Sequence, residues 1–324
     1  MSGDYIFDKP LLPDRLDHDS VRARLVLGRG LLEADDLTHT ARYVESELNR
    51  RLRAVEEHLD ADVMTCIHPI QQPMDDLIRD YVEDIKERRE RLLVILETNG
   101  GSIETAERIA DTLRYHYPKE VSFLVPNFAM SAGTVLVMSG DTIYMDYYSV
   151  LGPIDPQVRN RDGVFVPALG YLEKYQELIK KSSKGKLSSA ELAFLVQKFD
   201  PAQIHRFEQA RDHTVDLLKK WLVQYKFKNW TRTRTRQLKV SPTLRERRAA
   251  EIARKLNDTK RWRSHGRGLS MEVINNDLNL RIENFGADQK LNKHVRSYYR
   301  LLKDHLSGNN HTIALQTRDG FMAL

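Results

Sequence analysis

The chain has 324 residues, of which 41% are hydrophobic and 30% are charged, and its formal net charge is +5 at pH 7. Its single cysteine, Cys66, excludes an intrachain disulfide, and no segment reaches the roughly 20 apolar residues that a membrane-spanning helix requires. The N-terminus has no hydrophobic signal-peptide core, so we expect a cytoplasmic protein with long solvated helices.

The N-terminal part of the sequence predicts alternating helices and strands. Residues 1–30 mix charge and proline and are expected to form an irregular arm. Apolar residues then recur at helical spacing over 34–61 and 74–88, which predicts two amphipathic helices. The short apolar runs 64–70 and 91–97 predict strands beside these helices.

Two strand-turn-helix units follow one another between residues 91 and 156. The first apolar run ends at Asn99-Gly100-Gly101, and a helical pattern follows it. The second run, 121–126, leads into the small residues AMSAG and then into another helical pattern. Strands that alternate with helices predict an α/β protein with a partly parallel sheet, whose ligand sites lie at the carboxyl ends of the strands.

The remaining sequence is mostly helical in pattern. A brief strand is predicted at 164–166, a helix at 168–181, and a long helical tract at 200–227. Ser188, with Glu191 three residues later, has the spacing of a capping box and predicts the start of another helix. Further helices are predicted at 247–256, 271–277 and 288–302, and a last strand is predicted at 312–315.

A basic zone extends over residues 219–267. It contains the segments YKFK, TRTRTRQLK, LRERR and KRWR, interleaved with Tyr225, Phe227, Trp230 and Trp262. Arginines mixed with aromatic residues can bind phosphates and stack on bases, so nucleic acid is one candidate partner. The alternative is a solvated helical face or an interface between subunits.

The small residues at the two turns have the composition of an acyl-transfer site. Such a site needs a nucleophile, a base, and donors directed at the developing oxyanion. Ser131 is the candidate nucleophile, and the amides of Gly100 or Gly101 together with that of Ala132 are the candidate oxyanion donors. Ala129 stands where the α/β-hydrolase elbow motif has its first glycine, which disfavours that particular motif.

Four segments carry a family resemblance: ETNGGSIETAERIA, MSAGTVLVMSGDTIYMDYYSVLGPIDPQ, YKFKNW and WRSHGRG. They resemble the serine dehydrogenase proteinase family, within the wider class of Clp proteolytic subunits (ClpP) and signal-peptide peptidases (SppA), which share the crotonase-like fold. The resemblance extends over residues 92–300. It implies a serine peptidase with Ser131 as nucleophile and the glycine turn plus Ala132 as oxyanion hole.

The same resemblance implies the organisation of the whole chain. We expect an N-terminal arm and long helix over 1–60, a crotonase-like peptidase core over 61–230, and a basic helical C-terminal extension over 231–324. It also implies a homo-oligomer that acts on peptide or protein substrates. The sequence has neither a dinucleotide fingerprint nor a Walker-type phosphate loop, so we expect no cofactor, no metal and no ATP dependence.

The general base is not evident near the serine. Clp-type subunits place a histidine one strand after it, whereas the corresponding segment here, 149–156, contains only Asp155 as a titratable group. The signal-peptide-peptidase pattern uses a lysine on a later helix, which makes Lys181 and Lys184 the candidates. A lysine base requires burial that lowers its pKa from about 10.4 toward neutrality. His265, in a glycine-bracketed turn, is the other candidate.

Two alternatives to a peptidase remain from the sequence. The missing histidine is compatible with a catalytically degenerate binding protein that keeps the peptidase fold. The basic zone is compatible with a nucleic-acid-associated protein, whose binding would weaken steeply with salt.

Overall fold

The computed structural model describes residues 39–154, 157–159, 165–262, 264 and 266–324. The irregular arm predicted over 1–30 lies outside these residues. Two compact units divide the chain, residues Met1–Ser46 and Glu47–Leu324. The described part of the first unit, 39–46, is helical. The second unit contains the sheet and the candidate site.

Helices and strands alternate through the first half of the described chain. The elements are α1 (His39–Leu59), β1 (Asp62–Ile67), α2 (Met74–Glu83), β2 (Arg91–Glu97), α3 (Ile103–His116), β3 (Glu120–Leu124), β4 (Phe128–Ala129), α4 (Ala132–Val137), β5 (Thr142–Met145) and β6 (Val150–Leu151).

The second half is richer in helices. Its elements are β7 (Gln157–Arg159), β8 (Phe165–Pro167), α5 (Ala168–Ser182), α6 (Ser189–Lys198), α7 (Pro201–Trp221), a π-helical turn (Leu222–Lys226), α8 (Pro242–Leu256), α9 (Thr259–Trp262), β9 (Leu269–Ser270), α10 (Met271–Asn276), β10 (Glu283–Asn284), α11 (Gln289–Gly308), β11 (Ala314–Thr317) and β12 (Gly320–Ala323).

A seven-stranded sheet is the centre of the fold. Its strand order is β10-β5-β3-β2-β1-β11-β12. Pairing is parallel from β10 to β1 and antiparallel from β1 to β12. All six residues of β1 are buried, as expected for a central strand covered on both faces. The mixed α/β class predicted from the sequence is therefore confirmed.

Helices cover both faces of this sheet. On one face, alternate residues of β1, Met64 and Cys66, join the main hydrophobic core with residues of α2, α3, α4, α7 and α8. On the other face, the buried Tyr298 of α11 donates its hydroxyl to Thr65 Oγ1 at 2.8 Å. Two-residue periodicity along the strand thus places successive side chains in different layers.

Several predicted elements differ from the structure at their ends or in kind. Helix α2 ends at Glu83 and does not continue to Arg88. The capping box at Ser188 is confirmed, with both of its hydrogen bonds formed to Glu191. The C-terminal region is not only helical, because it contributes β10, β11 and β12 to the main sheet and β9 to a smaller one. The strand predicted at 312–315 overlaps β11, whereas β9, β10 and β12 were not predicted, because strands of two to four residues have too short a pattern to stand out in a basic, helical context. The predicted boundaries at 60 and 230 stay predictions.

The smaller sheet lies beside the carboxyl ends of the main strands. Its order is β4-β6-β9, with β4 parallel to β6 and β6 antiparallel to β9. An isolated bridge between Thr98 and Ala129 connects it to the residue that follows β2. This connection brings the two turns identified in the sequence to one place.

Candidate active site

Ser131 occupies a sharp turn between β4 and α4. Its backbone has φ +50° and ψ −117°, in a region that residues with a Cβ rarely adopt. Such strain persists only where surrounding structure holds it, and it is common at active sites. A strained turn from strand to helix is the geometry by which nucleophile elbows expose a serine; here Ala129 replaces the first glycine of that motif.

Neighbouring strand ends hold this turn on both sides. After β2, the Thr98 carbonyl accepts a hydrogen bond from Met130 N at 2.9 Å. After β6, Gly152 N donates to the Ala129 carbonyl at 3.2 Å and to Thr134 Oγ1 at 2.9 Å. The buried Thr134 hydroxyl in turn lies 2.8 Å from the Ala129 carbonyl oxygen. The backbone on either side of Ser131 is therefore fixed by the sheet ends and by α4.

The glycine turn packs directly against the serine turn. Gly100 has φ +98°, and a Cβ built on it would lie 2.7 Å from Met130 O and 2.9 Å from Ser131 Cβ. A Cβ on Gly152 would likewise lie 3.0 Å from Ser131 N. Contacts below 3.0 Å are essentially never seen for a Cβ, so Gly100 requires glycine, whereas a Cβ at Gly152 would push against the Ser131 backbone. The structure thus places the predicted nucleophile and the predicted oxyanion loop side by side.

The backbone amides at the two turns are not equally available. Gly100 N donates to Thr98 Oγ1 at 3.0 Å, so this candidate oxyanion donor is already engaged. The Gly100 carbonyl accepts from Ile70 N at 2.8 Å, which fixes the loop. Among the described residues, no acceptor pairs with Gly101 N or with Ala132 N. These two amides are therefore free to donate to an acceptor outside the described residues.

Neither predicted lysine is arranged as a base in the isolated chain. Ser131 is half-buried, and its Oγ has no hydrogen-bond partner within the part of the chain that the structure describes. Lys181 Nζ lies 2.8 Å from Glu191 Oε1 and 3.3 Å from Glu177 Oε1. These carboxylates, Glu191 first, raise the pKa of Lys181, which is the opposite of what a base requires. Lys184 is exposed after the end of α5.

Helix α5, which leads to both lysines, belongs to a satellite of the core. Its Ala168 and Leu172 pack with Ile204 and Phe207 of α7 in a cluster separate from the main core. The two other titratable candidates, His265 and Asp155, lie outside the described residues.

His68 is a titratable residue near the glycine turn that the sequence analysis did not consider. It follows β1 directly, and its backbone N donates to the Glu97 carbonyl at 3.2 Å. Two residues later, Ile70 forms the bridge to Gly101. Burial lowers the pKa of His68, and its Nδ1 lies 2.5 Å from the Pro69 carbonyl oxygen. The sequence signal that could have identified it is its place near the carboxyl end of the strand predicted at 64–70, where ligand sites of α/β sheets lie.

The strand that delivers the glycine turn is also tied to α11. Buried Glu97, the last residue of β2, accepts from Lys303 Nζ at 2.9 Å and from the Tyr299 hydroxyl. Burial, reinforced by the adjacent Glu97 charge, raises the pKa of Tyr299, so that the phenol stays protonated and donates. These contacts fix the end of β2 two residues before Asn99-Gly100.

The sequence similarity to curated proteins is partial. An uncharacterized protein of Methanocaldococcus jannaschii, MJ0137, is 45% identical over 65 residues, which is 20% of this chain and 22% of that protein. A second one from the same organism, MJ1495, is 32% identical over 126 residues, which is 39% of this chain and 38% of that protein. The chain thus spans well under half the length of either relative.

Similar solved structures include two of the 1510-N membrane-bound stomatin-specific protease, both of point variants. One is 13% identical with a TM-score of 0.38, over 66% of this chain and 74% of that one. The other, in complex with a substrate peptide, is 14% identical with a TM-score of 0.40, over 69% and 75%. In the chain described here, no helix among the described residues has the length and apolar character needed to cross a bilayer.

A family model extends over both turns, the lysine-bearing helix and part of the basic zone. Residues 82–237 match the model of the ClpP-like SDH-type serine proteinases. The match covers just under half of the chain, and it confirms the resemblance of residues 82–237 to the family inferred from the sequence motifs.

Proposed function

We propose that this protein is a serine peptidase in which Ser131 attacks the carbonyl carbon of a peptide bond. The serine proteinase family whose model residues 82–237 match supports the reaction class. One observation carries the assignment to this residue: a serine at φ +50° packs against Gly100 beside two unpaired backbone amides. A nucleophile, a strained turn and preorganised donors are what acyl transfer requires.

The geometry suggests how the reaction proceeds. Ser131 Oγ forms a bond to the carbonyl carbon while its proton passes to the general base. Negative charge develops on the carbonyl oxygen, where the amides of Gly101 and Ala132 can donate to it. The C–N bond then breaks, the base returns the proton to the leaving amine, and water hydrolyses the resulting ester by the reverse sequence. The start of α4 at Ala132 adds a favourable dipole for the oxyanion.

We assign the general base to Lys184. Lys181 is held by two carboxylates, whereas Lys184 forms no ion pair with any described residue. Lys184 is exposed, so it must lose water before it can act as a neutral amine. A second copy of the chain could provide this burial, because α6 has no buried residue and displays Leu192 and Phe194 to solvent. This surface supports the proposed homo-oligomer.

His68 is the alternative base. Its lowered pKa keeps the imidazole neutral at pH 7, and the contact of Nδ1 with the Pro69 carbonyl favours a tautomer with a free Nε2 lone pair. Within the described residues, Nε2 has no hydrogen-bond partner. Replacing each candidate separately distinguishes the two assignments.

The finer parts of the proposal are a crotonase-like fold, a cytoplasmic location and ATP-independent cleavage of short or unfolded peptides. The absence of a phosphate loop from the sequence supports ATP independence. A catalytically degenerate binding protein is the second candidate, since Ser131 Oγ has no partner base among the described residues.

Cleavage of a casein-type substrate by purified, assembled protein tests the proposal. Ser131→Ala should abolish cleavage, while Ser307→Ala, at an exposed position of α11, should retain it. Full activity of Ser131→Ala would contradict the proposal. A wild-type protein that assembles but neither cleaves nor reacts with serine-directed probes would favour the degenerate binding protein.

A further inference from the structure

A large cavity lies at the opposite edge of the main sheet from Ser131. It has a volume of about 1570 Å³, and its lining includes Glu120 and Thr142, the first residues of β3 and β5. These strands are parallel, so their amino ends share one edge while the Ser131 turn follows their carboxyl ends. The rest of the lining comes from Lys119, Asp141 and Arg248, and from residues within the ranges 225–235 and 275–283. The cavity is therefore separate from the candidate active site.

Positive charge dominates the lining of this cavity. Seven lysines and arginines face three carboxylates, those of Glu120, Asp141 and Glu283. Each carboxylate is already paired with a cation. The pairs are Glu120 with Arg91 at 2.9 Å, Asp141 with Arg114 at 2.6 Å, and Glu283 with Arg281 at 2.7 Å. The carboxylates therefore neutralise only some of the cations that line the cavity within the described chain.

Three of the lining cations have no carboxylate partner within the described chain: Lys226, Arg232 and Arg234. Others are neutralised, such as Lys228, whose Nζ lies 2.5 Å from Asp141 Oδ1. Arg232 Nη1 donates a hydrogen bond to the Gln237 carbonyl at 3.0 Å, but this neutral acceptor does not neutralise the charge of the guanidinium. These three side chains thus carry the excess positive charge.

Lys226 is the most unusual of the three. It is the last residue of the π-helical turn, and such turns occur frequently at functional sites. Among the described residues, its Nζ donates a hydrogen bond to the Asp141 backbone carbonyl alone, at 3.3 Å. Burial lowers the pKa of Lys226 to about 8, so the ammonium remains mostly protonated at pH 7 at a cost to folding. An anion in the cavity would offset that cost.

The lining also offers neutral hydrogen-bond donors and aromatic surface. Asn275, Asn279 and Trp230 contribute to it. A smaller cavity of about 440 Å³ shares Arg232 and adds Lys239 and Arg245. Arginine and lysine side chains bind phosphate oxygens through charge-assisted hydrogen bonds, and neighbouring amide groups can donate further hydrogen bonds to the same oxygens.

We propose that this cavity binds a phosphate-bearing ligand through Lys226, Arg232 and Arg234. The ligand is either a small phosphorylated molecule or a segment of a nucleic acid, because both present the same oxygens. The site lies outside the peptidase chemistry proposed for Ser131, so it does not depend on that proposal.

Titration calorimetry of the assembled protein with inorganic pyrophosphate tests the site. An Arg232→Gln/Arg234→Gln double variant should weaken binding at least about tenfold, since each lost charge-assisted bond is worth more than 1.4 kcal/mol. The matched control is Lys220→Gln/Arg254→Gln, which removes the same charge from exposed positions of α7 and α8 that do not line the cavity. Its affinity should stay within about twofold of wild type. Equal weakening in both, or no binding by wild type, would overturn the proposal.

Lys226→Met provides a second test, which measures the melting temperature of the free protein as well as pyrophosphate binding. It should weaken pyrophosphate binding and at the same time raise the melting temperature of the free protein, because it removes a half-buried ammonium that forms no ion pair with any described residue. Unchanged binding in this variant would remove Lys226 from the site. A single-stranded oligonucleotide that binds no more tightly than pyrophosphate would identify a small ligand as the occupant. An oligonucleotide that binds far more tightly, with the same dependence on Arg232 and Arg234, would identify a nucleic acid.

Discussion

Gly100 lies so close to Ser131 that a Cβ built on Gly100 would stand 2.9 Å from the Cβ of Ser131. The two residues are 31 positions apart and are brought together by the ends of β2 and β4. The glycine turn therefore borders the candidate site. Because Gly100 and Gly101 have no side chains, they leave room for a substrate carbonyl.

Gly100→Ala should reduce peptidase activity strongly and also destabilise the fold. The new methyl would meet Met130 O at 2.7 Å, and alanine is strained at φ +98°. Displacing the serine turn by even 1 Å can cost about 100-fold in rate, and the strain should cost about 1–3 kcal/mol of unfolding free energy. Steady-state kinetics and urea denaturation measure both effects.

Gly170→Ala is the matched control for this substitution. Gly170 lies in α5, and nothing lies within 4 Å of the Cβ that alanine would add. Since alanine is the better helix former, this variant should be unchanged or up to about 1 kcal/mol more stable. Equal losses in the two variants would contradict the role assigned to Gly100.

Thr98→Val should alter the conformation of the glycine turn without opening a cavity. Valine keeps a methyl group at the position where Thr98 Cγ2 faces Gly133, but it removes the acceptor of the Gly100 amide. The buried N–H would then lack a partner, at a cost of about 1–3 kcal/mol. We expect kcat/KM and stability to fall together.

Thr98→Ser separates the two functions of the threonine. Serine retains the hydroxyl and loses only the methyl group, so the loop should keep its conformation and most of its activity. If serine impaired catalysis more than valine, packing against Gly133 would be more important than the hydrogen bond to Gly100.

Lys184→Met should lower kcat at least about 100-fold if Lys184 takes the proton of Ser131. Lys181→Met should have a much smaller effect on kcat, because its Nζ is occupied by Glu177 and Glu191. His68→Asn tests the alternative base, and kcat measured over pH 5–10 for all three variants compares them. A large loss confined to His68→Asn, together with loss of the acidic limb of the profile, would transfer the role to His68.

The pKa of Lys226 predicts a specific pH dependence of stability. Its folded-state pKa of about 8 is below the ordinary value of 10.5, mainly through burial, with Glu283 and Asp141 opposing and Arg281 reinforcing the shift. Between these pH values, the unfolded state binds the proton and the folded state does not. The folded state therefore gains stability as pH rises from 8 to 10.5.

Below pH 8 both states bind the proton, so wild type carries the full penalty at neutral pH. Chemical denaturation of wild type and Lys226→Met measures the difference. The variant should be the more stable at pH 7, and its advantage should shrink steadily toward pH 10.5. A difference independent of pH would show that Lys226 titrates normally.

Local patterns in the sequence predicted the elements around the site but not all of its chemistry. The apolar runs before Asn99 and before Ala129 located the two turns, because buried strands and amphipathic helices have distinct periodicities. The positive φ of Ser131 could not be predicted, because Ala129 stands where the known elbow motif has its first glycine. The turn is held instead by hydrogen bonds with Thr98 and Gly152, which are distant in the sequence.

Long-range contacts account for the other differences. Glu191 was identified as a helix cap from its spacing to Ser188, but its second partner, Lys181, lies on another helix. The engagement of the Gly100 amide depends on the Thr98 side chain turning toward it. His68 gains its position from the pairing of β1 with β2, which sequence spacing does not encode.

The most direct test of the account is to identify the residue that a fluorophosphonate probe modifies. The assembled wild-type protein is labelled, digested and examined by peptide mass spectrometry. We predict a single stoichiometric adduct on Ser131, which is absent from protein unfolded before labelling. An adduct on a different serine, or none on a protein that cleaves peptides, would contradict Ser131 as the nucleophile.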